Sequence, residues 1–336
     1  MANCNNLFLD FNKAITPSSE EMSKMKVSRE ALEKKITAKI KEKLGLIVSF
    51  YTQGSGAKAM KTIIVKEDGT YDADRGIYLP EKPDVSATTV QGYVYDAVKD
   101  HTEDGAEHRK KCIRVYYKKA YNIDFPVYYE VAGEHYSYLA VKGNGWIKDD
   151  PSAMIDWLNK YRDEDGQFLR MIKYLKAWAS KCTSKMPSGI ALSVWAAKNF
   201  TPSKDRDDKC LLSLIKAILS DLFWDVSCKS PVEPFDDVTS KLTDDQKTKF
   251  KDKLKEFQDD AEKAVGETNQ LKASKLWRKH LGDRFQLGVD DEIDAKLEAL
   301  FTSAATILSG KAKLGSTGVI NSEHGVGHKP HRNYGD

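Results

Sequence analysis

Asp72 and Asp74 stand one residue apart in Tyr71-Asp72-Ala73-Asp74-Arg75-Gly76-Ile77-Tyr78-Leu79, and Asp124 lies within Ile123-Asp124-Phe125-Pro126-Val127-Tyr128-Tyr129. Upstream runs Gln53-Gly54-Ser55-Gly56. Together these residue types suit phosphoryl transfer to a hydroxyl, which needs positioning and charge neutralisation more than covalent help. Two Mg²⁺ ions can stabilise the attacking and leaving oxygens together, and Mg²⁺ takes oxygen ligands, few of them from protein. On a strand, positions 72 and 74 share a face, so both carboxylates can reach one ion pair. Asp124 is an acid among Ile123, Phe125 and Val127, and a buried carboxylate needs a partner or a metal. That strand carries no basic residue of its own. Asp124 could complete the site at the attacking hydroxyl and favour loss of its proton. Gly54 lets backbone approach a phosphate, a helix start after it offers free N–H groups, and the Ser55 hydroxyl adds a donor.

Each signal has a plainer reading. Asp72 and Asp74 alone also suit a polar turn beside Gly69. The chain contains no GxxxxGK[ST] loop, so Ser55-Gly56 is not a P-loop. The block His108-Arg109-Lys110-Lys111 with Arg114, Lys118 and Lys119 reads mainly as a solvated face. Trp146, Tyr138 and Tyr136 suit core packing as well as base stacking. His324, His328 and His331 suit a flexible tail as well as a metal.

The elements that must hold these residues are legible in outline. A chain of 336 residues, 40% hydrophobic and 31% charged, fits a globular protein with ample core. Its net charge of +3 makes no strong case for binding long nucleic acid. No apolar run is long enough to span a bilayer, and the N-terminus lacks the pattern of a signal peptide. Five scattered cysteines without a CxxC pair argue against a zinc site or disulfide framework and for a reducing cytoplasm.

Residues 17–44 predict one long helix, capped by Ser18 or Ser19, striped by Leu32, Ile36, Ile40 and Leu44, and ended by Gly45. Residues 46–51 predict a strand, and 56–60 the first turns of a short helix. Residues 62–66 and 74–79 predict paired strands around Asp68-Gly69. A helix follows over 87–100, then strands over 112–118, 123–130 and 135–142, the last broken at Asn144-Gly145. From Pro151 the pattern turns helical. Strands in the first half and helices in the second predict an α+β chain. Its parts are a catalytic core with the long N-terminal helix over 1–150, a helical lobe closing a cleft over 151–310, and a flexible tail over 311–336.

The motifs resemble those of the polymerase-β-like nucleotidyltransferases of the cGAS/DncV-like (CD-NTase) family, the bacterial anti-phage (CBASS) signalling enzymes. The family's pattern is a Gln-Gly-Ser turn, an Ile/Val-rich strand, a D-[IVL]-D-x-G-[VI]-Y strand and a [VI]-D-[IF]-P-V-Y strand. Gln53-Gly54-Ser55, Asp72 to Tyr78 and Ile123 to Tyr128 match it. Ala73 replaces the usual branched residue, and Lys58 and Lys61 alter the turn, but neither change removes a ligand.

The resemblance spans roughly residues 15–300. It implies a polymerase-β-like core sheet and an Mg²⁺-dependent enzyme, with two ions and Mn²⁺ as a substitute. Asp72, Asp74 and Asp124 would be both catalytic and metal-binding. Gln53, Gly54 and Ser55 would bind nucleotide. Arg170 to Trp178 looks like the family helix whose lysine holds the triphosphate, a role that falls to Lys173. Pro187 to Leu192 is similar to the following turn, where Ser188 would touch the same phosphates. The product implied is a cyclic di- or trinucleotide second messenger made from NTPs, ATP or GTP among them. It would act on a downstream effector, and the tail ending Tyr334-Gly335-Asp336 permits a ubiquitin-transfer-like partner. The rival expectations are an enzyme that adds nucleotides to an RNA or small acceptor, and a non-catalytic nucleotide-sensing scaffold.

Overall fold

The computed structural model describes residues 2–58, 60–316, 318 and 320–327. It is an α+β structure in which one mixed sheet and a set of helices each enclose a core. Helix Asn5–Ala14 (α1) precedes the long helix Ser19–Leu44 (α2). Ser18 caps α2 in a reciprocal box with Glu21, and Gly45 ends it at φ 70°. Its buried stripe is Met25, Leu32, Ile36 and Ile40.

The sheet is built around Tyr71–Leu79 (β2). Ser49–Gln53 (β1) lies antiparallel to it. Tyr121–Phe125 (β5) and Val127–Glu130 (β6) run parallel to β2 in one shared register: Tyr71 faces Tyr121, Asp74 faces Asp124, and Ile77 faces Val127. Ile77 and Tyr78 pair with both β1 and β6, so these two strands flank β2 on opposite edges. The strand predicted over 123–130 is therefore two, divided at Pro126, which has no N–H to give the ladder. Ile113–Tyr117 (β4) pairs with β5, and Ala106–His108 (β3) with β4. Ser137–Val141 (β7) pairs with β6, and Gly145–Asp149 (β8) with β7. Asn144-Gly145 thus turns a hairpin into a further strand where the sequence predicts the last strand to stop. Helix Ala87–Val98 (α3) and α2 pack on the odd-numbered face of β2.

Residues 62–66, predicted as a strand, form none. Their backbone is spent elsewhere: Thr62 donates to the Ser55 carbonyl at 2.8 Å, and Val65 to the Ile15 carbonyl at 2.8 Å. Their side chains divide, Ile63 joining the sheet core and Ile64 the helical one.

The helices that follow are Pro151–Asn159 (α4), Gln167–Lys181 (α5), Gly189–Asn199 (α6), Asp207–Asp221 (α7), Asp244–Gly266 (α8), Gln270–Leu281 (α9) and Asp291–Leu308 (α10). Pro151 opens α4 as predicted. The second core draws on α5 to α9 and on α1, whose Phe8 and Phe11 are fully buried there, as is Ile15 just after it. Three two-residue strands, Lys313–Leu314, Ile320–Asn321 and Val326–Gly327 (β9 to β11), form a small separate sheet. His328, His331 and Tyr334-Gly335-Asp336 lie outside the described residues. Among the described residues no helix is long and apolar enough to cross a membrane.

Candidate active site

The register of the sheet sets the site. Asp72 and Asp74 occupy alternate positions of β2, and Asp124 sits directly beside Asp74 on β5. Neighbours at one register in a parallel pair point to the same side, so all three carboxylates leave the even-numbered face of β2. Arg114 on β4 is directly opposite Asp124 and joins them there.

The three acids have different company. Arg114 grips Asp124 with two bonds, Nε to Oδ1 at 2.7 Å and Nη2 to Oδ2 at 2.6 Å. Its Nη1 lies 3.4 Å from Asp72 Oδ1. Asp72 also accepts from Lys66 and, at 2.9 Å, from the Asn122 amide. Burial pushes the Asp72 carboxyl up, but Lys66, Asn122 and Arg114 outweigh it and hold it below the ordinary range. Asp74 makes no hydrogen bond or ion pair with any described residue. Its carboxyl is pushed up to about 7, first by burial and then by the charges of Asp124 and Asp72.

Gly54 approaches Asp74 closely. At φ 56°, a methyl group on it would sit 2.6 Å from Asp74 Oδ2. A single 3-10 turn, Gly54–Gly56, stands at the start of the predicted stretch 56–60, whose described residues form no α-helix. Ser55 lies in that turn. Gln53 is buried rather than free: its amide donates to the Tyr78 hydroxyl and lies 3.5 Å from that of Tyr128, which donates to Asp149 at 3.1 Å. Gly76 makes room for this, because a methyl group there would meet Gln53 Nε2 at 2.5 Å and Tyr78 at 2.7 Å.

The predicted phosphate lysine points elsewhere. Lys173 donates to Thr16 at 3.0 Å and lies 3.3 Å from the Asn12 amide oxygen, both on the side of α1. Lys176, one turn further along α5, is the lysine that feels Asp74 and Asp72. Burial lowers its ammonium to about 8 against the opposing pull of Asp74. It donates to the Thr62 carbonyl at 3.0 Å and passes Gly189, where a methyl group would lie 2.9 Å from its Cε. Ser188 caps α6 beside it, accepting from Ala191 N–H at 3.3 Å.

Lys66, Arg114 and Lys176 are thus the cations of the site that sequence reasoning missed. Arg114 was findable. It and Asp124 are equidistant from the Lys118-Lys119-Ala120 turn, so a hairpin there brings them face to face. The partner that Asp124 lacks within its own strand comes from the next one.

The donor set suits a hard divalent ion. It consists of carboxylate oxygens, and those of Asp74 make no hydrogen bond or ion pair with any described residue. Among the described residues, however, no three His, Cys, Asp or Glu side chains are arranged to hold a metal ion. Arg114 and Lys66 engage two of the three acids instead.

Residues 48–128 match the family model described as "Cyclic GMP-AMP synthase DncV-like, nucleotidyltransferase domain". Over that segment the chain is similar to the cGAS/DncV-like nucleotidyltransferases. It is 25% identical over 209 residues to a cyclic GMP-AMP synthase from Escherichia albertii, a match covering 57% of this chain and 46% of that protein. It is 26% identical over 203 residues to a cyclic AMP-AMP-AMP synthase from Acinetobacter sp., covering 57% and 58%. The matches thus span about half the length of these relatives. In fold it is similar to Vibrio cholerae DncV, a cyclic AMP-GMP synthase solved with a linear intermediate, at a TM-score of 0.73 and 16% identity, covering 84% of this chain and 96% of that one. The Bradyrhizobium diazoefficiens CD-NTase CdnG, solved with GTP, gives 0.67 and 15%, covering 83% and 95%.

Proposed function

We propose that this chain joins nucleoside triphosphates into a cyclic di- or trinucleotide, with ATP or GTP among its substrates. The observation that carries the reading is the placement of Asp72, Asp74 and Asp124 on one face, with Gly54 pressed against Asp74. In each step a sugar hydroxyl oxygen attacks an α-phosphorus. The bond to the bridging oxygen breaks, and pyrophosphate leaves with the electron pair. The hydroxyl proton passes toward Asp124, the acid of the neighbouring strand.

Asp72, Asp74 and Asp124 would hold Mg²⁺ ions, which when bound neutralise the phosphates and the developing charge. The chain's own residues supply the rest. Gly54 and Ser55 bring backbone and hydroxyl to the phosphates. Lys176 adds charge from the helical side, where it and not Lys173 faces the acids. Ser188 stands beside it at a helix start. Lys173 would have to leave Asn12 and Thr16 to take part. The product would serve as a second messenger acting on an effector in anti-phage defence in the cytoplasm, and a ubiquitin-transfer-like enzyme acting on the C-terminus remains part of this reading.

One incubation tests it. With four NTPs and Mg²⁺ alone, mass spectrometry is expected to find a cyclic oligonucleotide and pyrophosphate. Asp72→Ala combined with Asp74→Ala is expected to make neither while keeping its circular dichroism. Product that persists in the double variant would overturn the assignment of the acids. Product that forms only with an added RNA or small acceptor would overturn the cyclase reading.

A further inference from the structure

We propose that Arg114 is a built-in counter-ion that competes with divalent cations for Asp124 and Asp72, and so sets the concentration at which the site fills. The proposal rests on the metal-binding reading of the three acids. Arg114 occupies both oxygens of Asp124 and reaches Asp72 at 3.4 Å, while Asp74 has no partner. A cation entering beside Asp74 therefore finds the neighbouring oxygens already engaged. The guanidinium is planar, permanently charged and forked to match a carboxylate, so no change of pH in the ordinary range releases it.

The pairing is fixed by the backbone. Arg114 and Asp124 are opposite partners in the β4–β5 ladder, so only a side-chain rotation separates them. Both side chains are largely shielded, at 15% and 12% exposure, where an ion pair is screened less than at the surface. The coupling is reciprocal: what the arginine gains from Asp124, the cation must replace. An arginine that merely props the strand would make the opposite prediction, because its loss would loosen Asp124 and weaken cation binding.

The experiment is a Mn²⁺ titration of the full chain without nucleotide, with free Mn²⁺ read by electron paramagnetic resonance. Wild type, Arg114→Gln, Arg114→Lys and Asp74→Asn are compared, and melting curves are taken with and without Mn²⁺. Arg114→Gln is expected to bind Mn²⁺ roughly tenfold tighter than wild type, within the usual range of such couplings. It should also melt lower than wild type without the ion and gain more from it. Arg114→Lys keeps the charge but loses the fork, and should fall between the two. If Arg114→Gln does not fold, Arg114→Lys decides. Unchanged or weaker Mn²⁺ binding in the folded variant overturns the proposal. A different result, no binding that depends on Asp74 in any of the proteins, overturns the metal reading itself.

Discussion

With its carboxyl pushed up to about 7, Asp74 links the stability of the metal-free protein to pH. In the unfolded chain the same group titrates near 4. Between those two values the folded chain keeps a proton that the unfolded chain has lost, so stability falls as pH rises. The loss is absent below about pH 4, complete above about pH 7, and amounts to at most about 4 kcal/mol. Asp74→Asn should remove that slope, as measured by urea unfolding in chelator across the pH range. An unchanged slope in the variant would show that the acid is not strained. At this scale the sequence was informative about the acids and silent about their cations. The spacing of Asp72 and Asp74 depends only on strand period. Choosing between Lys173 and Lys176 depends on how α5 is rotated against β2, and the helical pattern does not encode that rotation.

At the scale of elements, the Gly54–Gly56 turn closes on its own 3-10 bond, Ala57 N–H to the Gly54 carbonyl at 3.2 Å, and is pressed against β2. Gly54→Ala meets both a left-handed backbone and the Asp74 carboxylate, so it should cost about 1–2 kcal/mol and displace that acid. Gly45→Ala is the control. It has a similar φ of 70° but nothing within 4 Å, so it should cost only the backbone strain, about 1 kcal/mol, and leave product formation intact. Chemical unfolding with a product assay separates the two, and equal losses of activity would count against the contact with Asp74. The long helix α2 was readable because its cap, stripe and glycine stop agree. Residues 62–66 misled because Thr62-Ile63-Ile64-Val65 has strand composition while its hydrogen bonds go to Ser55 and Ile15, far from any ladder. β8 was missed because Asn-Gly marks a hairpin as readily as an end.

At the scale of the molecule, the N-terminal helix ties the helical core together. Phe8 is fully buried, with its ring edge-on to Tyr174, Trp277 and Phe285 at 5.2, 4.9 and 5.0 Å. Phe8→Ala should cost roughly 3–5 kcal/mol, read by denaturant unfolding. A loss under about 1 kcal/mol would mean that α1 is dispensable to that core. The sequence named the division into strands and helices but not α1, whose ten residues carry little period beyond Phe8 and Phe11.

The break at Pro126 makes the sheet fork. Upstream of it β5 has β4 as its outer neighbour; downstream β6 has β7. Arg114 reaches the acids along the first branch, while Tyr128, Asp149 and the buried Gln53 are joined along the second. The two branches join at β2, through Pro126, and where the Lys142 N–H donates to the Lys110 carbonyl at 2.8 Å. Exchanges at the β7 end of the second arm therefore bear on the strand that carries the arginine clamp through that link as well as through β2.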